Sequence, residues 1–237
     1  MKDRIELRDV ALLGRTFTEY CAYFQLTHAD LASRRILDIG AGIGSFCAEA
    51  YARGFDVTAA DPIYDLTRET IAERSKADLS DVMRQLPDVM HKYNWTFYRD
   101  PGGLHLYRTG ARQMFLADYS RGHQRYVPAA LPNTPFADRQ FSMALVSYFL
   151  FLYHEEFDYE FHRASILELA RITRREIRIY PLTDMRAIRS SYVEQLMRDP
   201  ACAALTFEVV RSDFEFIKNS NQLLVIKPRT VQLTHER

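Results

Sequence analysis

Residues 37–46 combine an acidic residue with three closely spaced glycines, a pattern suited to holding a ligand. Gly40, Gly42 and Gly44 alternate with small or apolar residues, and Asp38 comes two residues before the first glycine. The apolar residues before the glycines predict a buried strand, and helical spacing resumes after them. Side chains at the glycines would collide with a ligand or strain the backbone. The pattern therefore predicts a turn that approaches a nucleotide-like molecule.

The spacing of the glycines indicates which class of nucleotide-like ligand the turn would bind. A dinucleotide fingerprint is G-x-G-x-x-G, whereas here the third glycine comes one residue earlier. Asp38 would repel a pyrophosphate but suits a cation such as the ammonium group of S-adenosylmethionine (SAM). Asp61 ends a second apolar strand 17 residues after Gly44, where it can accept hydrogen bonds from both ribose hydroxyls. The alternative is an ordinary strand–turn–helix unit without a cofactor.

Two blocks of sequence resemble the class I SAM-dependent methyltransferases. Residues 35–61 are similar to motif I and the acidic second strand of that family, and residues 131–147 are similar to the segment that leads into its fourth strand. Three further stretches, at residues 14–20, 115–119 and 149–153, resemble a bacterial methyltransferase-like subgroup. The resemblance covers most of the chain, but the subgroup says little about the substrate.

The resemblance implies an α/β fold with a Rossmann-like, seven-stranded, mostly parallel sheet and helices on both faces. Its last strand is antiparallel and lies between strands five and six. We expect one domain over residues 1–237, with a helical N-terminal cap at 1–33. A helical insertion at 66–124 is interpreted as a lid or substrate pocket, with a structural embellishment or a dimer interface as alternatives.

Hydrophobic periodicity and turn residues predict where the elements lie. Strands are expected at residues 35–39, 56–60, 126–131, 141–147, 176–180, 205–210 and 222–227. Helices are expected at residues 15–26, 45–53, 66–90, 104–119, 161–173 and 189–197. The helix at 66–90 is expected to break near Pro87, and a turn at 100–103 is expected to precede the helix at 104–119.

The carboxyl ends of the parallel strands are expected to surround the ligand. Asp38 and the glycine turn would hold the methionine part, Asp61 the ribose, and Arg15 the carboxylate. The acid that contacts adenine in many family members would fall on Ala129 or Ala130, so backbone groups, Asn133 or apolar packing must serve instead. The predicted cofactor-binding residues are Arg15, Asp38, Gly40, Gly42, Gly44, Asp61, Pro62, Asn133 and Ser147.

Tyrosines are the candidates for contact with the reacting centre. Methyl transfer is an in-line displacement, in which alignment of the reactants and exclusion of water matter most. A base is needed only when the nucleophile must lose a proton. Aromatic faces attract a sulfonium through cation–π interaction. Tyr148, Tyr20 and Tyr180 are therefore the predicted catalytic residues, with Tyr153 as a further candidate. The histidines considered as bases are His28, His154 and His162, and none is favoured.

The composition excludes some partners. The 237 residues carry 31 basic and 31 acidic side chains, so the net charge is zero, which argues against a nucleic acid held mainly by electrostatics. The three cysteines lack metal-ligand spacing and are odd in number, which predicts a reduced cytoplasmic protein without a metal site. Signal-peptide character and membrane-length apolar runs are absent from the sequence, so no membrane partner is expected. The oligomeric state is not predicted.

Three functions are consistent with the sequence. The first is methyl transfer from SAM to a small molecule, in bacterial secondary metabolism. The second is an intramolecular reaction of SAM, which gives azetidine-2-carboxylate and methylthioadenosine. The attacking amine of SAM must be neutral, so an Asp38 contact with the ammonium would slow that reaction. The third is a non-catalytic SAM-binding protein, against which the intact glycine turn and Asp61 argue.

Overall fold

The computed structural model describes residues 2–7, 9–121 and 124–229. The strands are β1 (Arg35–Ile39), β2 (Asp56–Ala60), β3 (Tyr126–Val127), β4 (Phe141–Ser147), β5 (Thr173–Tyr180), β6 (Leu205–Arg211) and β7 (Gln222–Pro228). The α-helices are α1 (Phe17–Phe24), α2 (His28–Leu31), α3 (Phe46–Ala52), α4 (Arg68–Val89), α5 (Pro101–Tyr119), α6 (Tyr159–Ile172) and α7 (Tyr192–Arg198). The bounds of β1, β2 and β4 are those that the sequence predicts.

The strands form one sheet in the order β3-β2-β1-β4-β5-β7-β6. The strands from β3 to β5 pair in parallel, while β7 is antiparallel to both of its neighbours, β5 and β6. This order confirms the predicted class I methyltransferase fold, including the last strand between strands five and six. The central position of β1 places the glycine turn that follows it in the middle of one sheet edge.

Each face of the sheet is covered by a hydrophobic core, and apolar side chains on β1 alternate between the two cores. Ile36 packs in the core that also contains Phe46 of α3 and Phe115 of α5. Leu37 packs on the opposite face with Ile166 of α6. Burial on both faces explains why Ile36, Leu37 and Ile39 are all apolar. Among the described residues, no helix is long and apolar enough to cross a membrane.

The predicted turn at residues 100–103 is wrong, because these residues begin α5. The Asp100 carboxylate accepts a hydrogen bond from the Gly103 amide at 2.8 Å, and Pro101 occupies the first turn. Proline is favoured there because its missing N–H would have no partner in any case. The pattern Asp-Pro-Gly-Gly is therefore a helix start in this chain.

The other differences concern where elements end. Helix α4 continues past Pro87 to Val89, so the predicted break is wrong. Strand β3 has two residues, against the six expected, since only Tyr126 and Val127 pair with β2. Residues 9–15, within the cap predicted to be helical, form no helix and instead lie against α4. There the Leu12 amide donates to the Asp78 carboxylate at 2.8 Å. The predicted cap and insertion also include residues 1, 8, 122 and 123, which lie outside the described residues.

Candidate functional site

A cleft opens beyond the carboxyl ends of β1, β2, β3 and β4, and we call it the cofactor cleft. The segments after these strands, at residues 39–43, 61–63, 129–131 and 147–149, form its floor. Residues 9–13, Arg15 and Tyr20 close it from the N-terminal side. The arrangement follows from the parallel strands, whose carboxyl ends meet at one edge of the sheet.

The glycine turn leaves space for a ligand at Gly42. Gly40 and Gly42 have φ of +68° and +52°, in the left-handed region that favours glycine. A side chain at Gly42 would meet no atom within 4 Å, whereas one at Gly40 would lie 3.1 Å from the Phe149 ring. A side chain at Gly44 would lie 3.1 Å from the carbonyl oxygen of Ala41. Gly42 therefore faces open space, while Gly40 and Gly44 permit close internal packing.

Asp61 anchors the turn from the end of β2. Its carboxylate accepts hydrogen bonds from the Gly42 amide at 2.8 Å and the Ile63 amide at 3.1 Å. Burial raises the pKa of Asp61, and the two amide hydrogen bonds oppose that rise. Each carboxylate oxygen keeps a free lone pair on the cleft wall. The geometry suits a ligand with two neighbouring hydroxyls.

Asp38 lies behind Tyr20 and does not line the cleft. The Tyr20 hydroxyl donates to the two carboxylate oxygens of Asp38 at 2.9 and 3.1 Å. The Tyr20 ring stacks on Phe46 at 4.3 Å, which fixes its position. Burial raises the pKa of Asp38 to about 8; the hydrogen bond from Tyr20 opposes the rise and the nearby Asp61 adds to it. Asp38 therefore acts on the cleft through Tyr20, with its charge suppressed at neutral pH.

Arg15 contributes a positive charge to the cleft wall. Its guanidinium lies 4.0 Å from the centre of the Tyr148 ring and donates to the carbonyl oxygen of Leu13. Its Nε is buried without a hydrogen-bond partner, and within the described ranges no carboxylate pairs with it. A buried donor without a partner is costly, so the arrangement suits an anionic group from a ligand.

Tyr148 occupies a strained position directly after β4. Its φ is +50°, which is uncommon for a residue with a side chain and is found at functional sites. Its hydroxyl is buried and has no hydrogen-bond partner among the described residues. Burial raises the pKa of Tyr148 to about 12, so the hydroxyl is neutral at physiological pH.

A second cavity adjoins the cofactor cleft, and we call it the inner cavity. Its volume is about 80 Å³, and Ala11, Leu13, Arg15 and Tyr148 line both spaces. Of the described residues in the insertion at 66–124, Arg74 lines the cleft. The insertion contributes more to the inner cavity, through Leu79, Val82, Met83, Leu86, Tyr93, Leu104 and Arg108.

The structure brings together eight of the twelve residues that the sequence predicts for the site. Arg15, Tyr20, Gly40, Gly42, Asp61, Pro62, Ser147 and Tyr148 line the cleft. The other four are Asp38, Gly44, Asn133 and Tyr180, and they do not line it. Asn133 is exposed after β3. Tyr180 is fully buried, and its hydroxyl hydrogen-bonds with Ser220 at 3.0 Å.

The remaining candidates also lie away from the reacting region. Tyr153 lines the inner cavity, and its hydroxyl accepts a hydrogen bond from the Ala11 amide at 3.0 Å. The ring nitrogens of His162 lie 2.7 and 2.8 Å from the backbone carbonyl oxygens of Asp158 and Leu150. His28 and His154 line neither the cleft nor the inner cavity.

Sequence reasoning missed a buried ion pair beside the site. Arg108 donates to the Glu19 carboxylate at 2.7 Å and to the Gly14 carbonyl oxygen at 2.9 Å. The Tyr98 hydroxyl donates to the same carboxylate and accepts from Arg108. Burial alone would raise the pKa of Glu19, but the guanidinium of Arg108 brings it below its usual value. The capping box of Thr16 and Glu19 was a detectable signal, whereas nothing in the sequence marked Arg108.

The fold has distant counterparts among solved structures. Magnesium protoporphyrin IX methyltransferase of Synechocystis PCC 6803, solved with bound SAM, is 11% identical with a TM-score of 0.44, over 85% of this chain and 73% of that chain. A SAM-dependent methyltransferase of Thermotoga maritima is 14% identical with a TM-score of 0.45, over 89% of each chain.

The sequence comparison is closer. No family model matches the chain. The uncharacterized protein MJ0045 of Methanocaldococcus jannaschii is 34% identical over 224 residues, which span 94% of this chain and 98% of that protein. This relative is archaeal, whereas the sequence analysis expected a bacterial subgroup. The chain belongs to the same family as this archaeal protein, and it has the fold of the class I SAM-dependent methyltransferases.

Proposed function

We propose that the protein binds SAM in the cofactor cleft and transfers its methyl group to a small molecule. The observation that carries the proposal is that Asp61 and Arg15 line the same cleft as the open Gly42 turn. Asp61 offers free lone pairs to two hydroxyls, and the unpartnered Nε of Arg15 suits a carboxylate. SAM has both groups.

The chain's own residues account for the rest of the binding surface. Ala129, Ala130 and Leu131 supply an apolar wall for adenine, with Phe157 and Phe161 nearby in the same cleft. The rings of these two phenylalanines stack on each other, with their centres 4.3 Å apart. Apolar packing thus replaces the acid that the sequence lacks after β3.

The reacting region is built for alignment rather than for acid–base catalysis. Bound SAM supplies an electrophilic methyl group on a sulfonium. Tyr20 and Tyr148 are neutral and line the cleft, and residues 9–13 cover it, so these groups orient the reactants and exclude water. The small volume of the inner cavity supports a small-molecule acceptor. A role in secondary metabolism rests only on the sequence resemblance.

The suppressed charge of Asp38 favours a second candidate function, the intramolecular conversion of SAM to azetidine-2-carboxylate and methylthioadenosine. The amine must be neutral to attack, and an ionised carboxylate beside it would keep it protonated. Asp38 lies behind Tyr20, and burial raises its pKa to about 8, so it offers little negative charge to that amine. The same cleft is therefore compatible with intramolecular alkyl transfer.

Incubation of the purified protein with SAM alone, followed by mass spectrometry, separates the two reactions. Intact SAM together with measurable binding is expected, and it supports the methyltransferase, which lacks its acceptor in this mixture. Methylthioadenosine and a four-carbon cyclic amino acid, without any acceptor, would replace methyl transfer by the intramolecular reaction. Absence of both binding and turnover would contradict both functions.

The cofactor assignment has its own test in Asp61→Ala. Loss of two hydrogen bonds to a charged group, each worth about 1.5–3 kcal/mol, should weaken SAM binding by about 100-fold or more in calorimetry. Asp56→Ala is the matched control, because Asp56 is an exposed aspartate at the opposite end of the same strand. Equal SAM affinity in the two variants would contradict the assignment.

A further inference from the structure

The inner cavity has a shape that limits what it can hold. Helix α4 provides one apolar wall through Leu79, Val82, Met83 and Leu86. The volume of about 80 Å³ is well below the roughly 150 Å³ of an apolar cavity that admits benzene. The space therefore suits a short aliphatic group rather than an aromatic ring.

Charges around the inner cavity exclude a charged occupant. Among the described residues, its lining includes Arg15 and Arg108 but no carboxylate. Arg108 is neutralised by Glu19 at 2.7 Å, and Arg15 is assigned to the carboxylate of the cofactor in the proposed function. A cation would find no carboxylate on the lining, and a second anion would find no free counter-charge.

Tyr148 offers a polar group to an uncharged ligand. Tyr148 lines both the inner cavity and the cofactor cleft, and its hydroxyl is buried and has no partner within the described part of the chain. A neutral hydroxyl can donate one hydrogen bond or accept one. By contrast, the Tyr153 hydroxyl on the same wall already accepts from the Ala11 amide.

We propose that the inner cavity binds the methyl acceptor, a small, uncharged, aliphatic molecule whose single oxygen hydrogen-bonds with Tyr148. Its role as acceptor rests on the proposed function, whereas its chemical class rests on the cavity alone. In the transfer, a lone pair of the heteroatom forms the bond to the methyl carbon. The electrons of the broken carbon–sulfur bond stay on sulfur, and the heteroatom's proton leaves through the cleft to solvent.

Three probes with one carbon skeleton test the ligand class. Protein saturated with S-adenosylhomocysteine, and protein without it, are titrated with 3-methylbutan-1-ol, 3-methylbutanoate and protonated 3-methylbutylamine, and binding is followed by NMR. We expect the alcohol to bind at least fivefold more tightly than either ion. Tighter binding of the carboxylate or the ammonium would overturn the charge argument, and no binding of any probe would overturn the site.

Two variants test the place of binding. Tyr148→Phe should weaken the alcohol at least fivefold, and Val82→Trp should block it by filling the cavity. The matched control is Tyr126→Phe, since Tyr126 is buried, hydrogen-bonds to Asp118 at 2.7 Å and lines neither space. Equal weakening in the control would contradict the role of Tyr148. If the alcohol binds but S-adenosylhomocysteine and SAM do not, the proposed function fails while the site stands.

Discussion

Single residues at and behind the cleft have properties that depend on what covers them. Asp38 is 1% exposed and receives both of its side-chain hydrogen bonds from Tyr20. A carboxyl group in this environment takes up a proton more easily than it does in the unfolded chain. The stability of the protein should therefore depend on pH through this residue.

Asp38→Asn tests this dependence. The pKa of Asp38 is about 8 in the folded protein against 3.8 without perturbation, so the native state binds an extra proton between these values. The stability that the wild-type protein has near pH 4 should therefore fall as the pH rises toward 8, by up to about 1.4 kcal/mol per unit from this group. The variant lacks the titration, so its free energy of unfolding should rise relative to that of the wild-type protein between pH 4 and pH 8 in urea denaturation. Parallel pH profiles of the free energy of unfolding in the two proteins would contradict a raised pKa for Asp38.

At the scale of elements, α5 depends on close packing at its start. A side chain at Gly103 would lie 1.9 Å from the Tyr98 carbonyl oxygen, whereas one at Gly110 would meet nothing within 4 Å. The two glycines of one helix therefore have different roles, the first permitting close contact and the second leaving the helix weaker.

Alanine at these two positions should change stability in opposite directions. Gly103→Ala should destabilise the protein by about 1–3 kcal/mol, because the backbone at Tyr98 must move. Gly110→Ala should stabilise it by about 0.5–1 kcal/mol, because alanine has the higher helix propensity. Thermal unfolding of both variants gives the comparison. A loss of stability in both would mean that Gly110 also has a packing role.

The ion pair of Arg108 and Glu19 joins α5 to α1. Arg108→Met leaves a buried carboxylate without its counter-charge and should cost about 3–5 kcal/mol in urea denaturation. Glu19→Gln combined with Arg108→Met should cost less than Arg108→Met alone. Arg84→Ala is the control, since it removes an exposed pair with Asp81 and should change stability by about 0.5 kcal/mol at most. Additive effects of the two buried substitutions would show that the pair is not coupled.

At the scale of the whole molecule, the N-terminal segment and α4 enclose one side of the cleft. The Arg74 side chain donates to the Val10 carbonyl oxygen at 2.9 Å, and the amide of Ser45 donates to the Arg15 carbonyl oxygen at 2.9 Å. The segment thus contacts both the insertion and the helix that follows the glycine turn. A ligand in the cleft would be held between parts of the chain that are distant in sequence.

Hydrogen exchange should show this enclosure directly. SAM at saturating concentration should slow amide exchange in residues 9–15 and 40–44, because bound ligand stabilises the closed arrangement. Strand β6, at the far edge of the sheet, is the internal control and should change little. Protection confined to residues 40–44 would mean that the N-terminal segment does not cover the ligand.

The sequence by itself determined the scaffold of the site. The ends of β1, β2 and β4, the glycine turn and the position of Asp61 follow from local patterns, because strand periodicity and positive φ at glycine need only neighbouring residues. The tertiary structure alone decided that Tyr20 covers Asp38 and that Arg108 meets Glu19 from 89 positions away. It also decided that Tyr180 is buried away from the cleft while Tyr148 lines it. Burial, charge pairing and access depend on packing between distant segments, which no local pattern specifies.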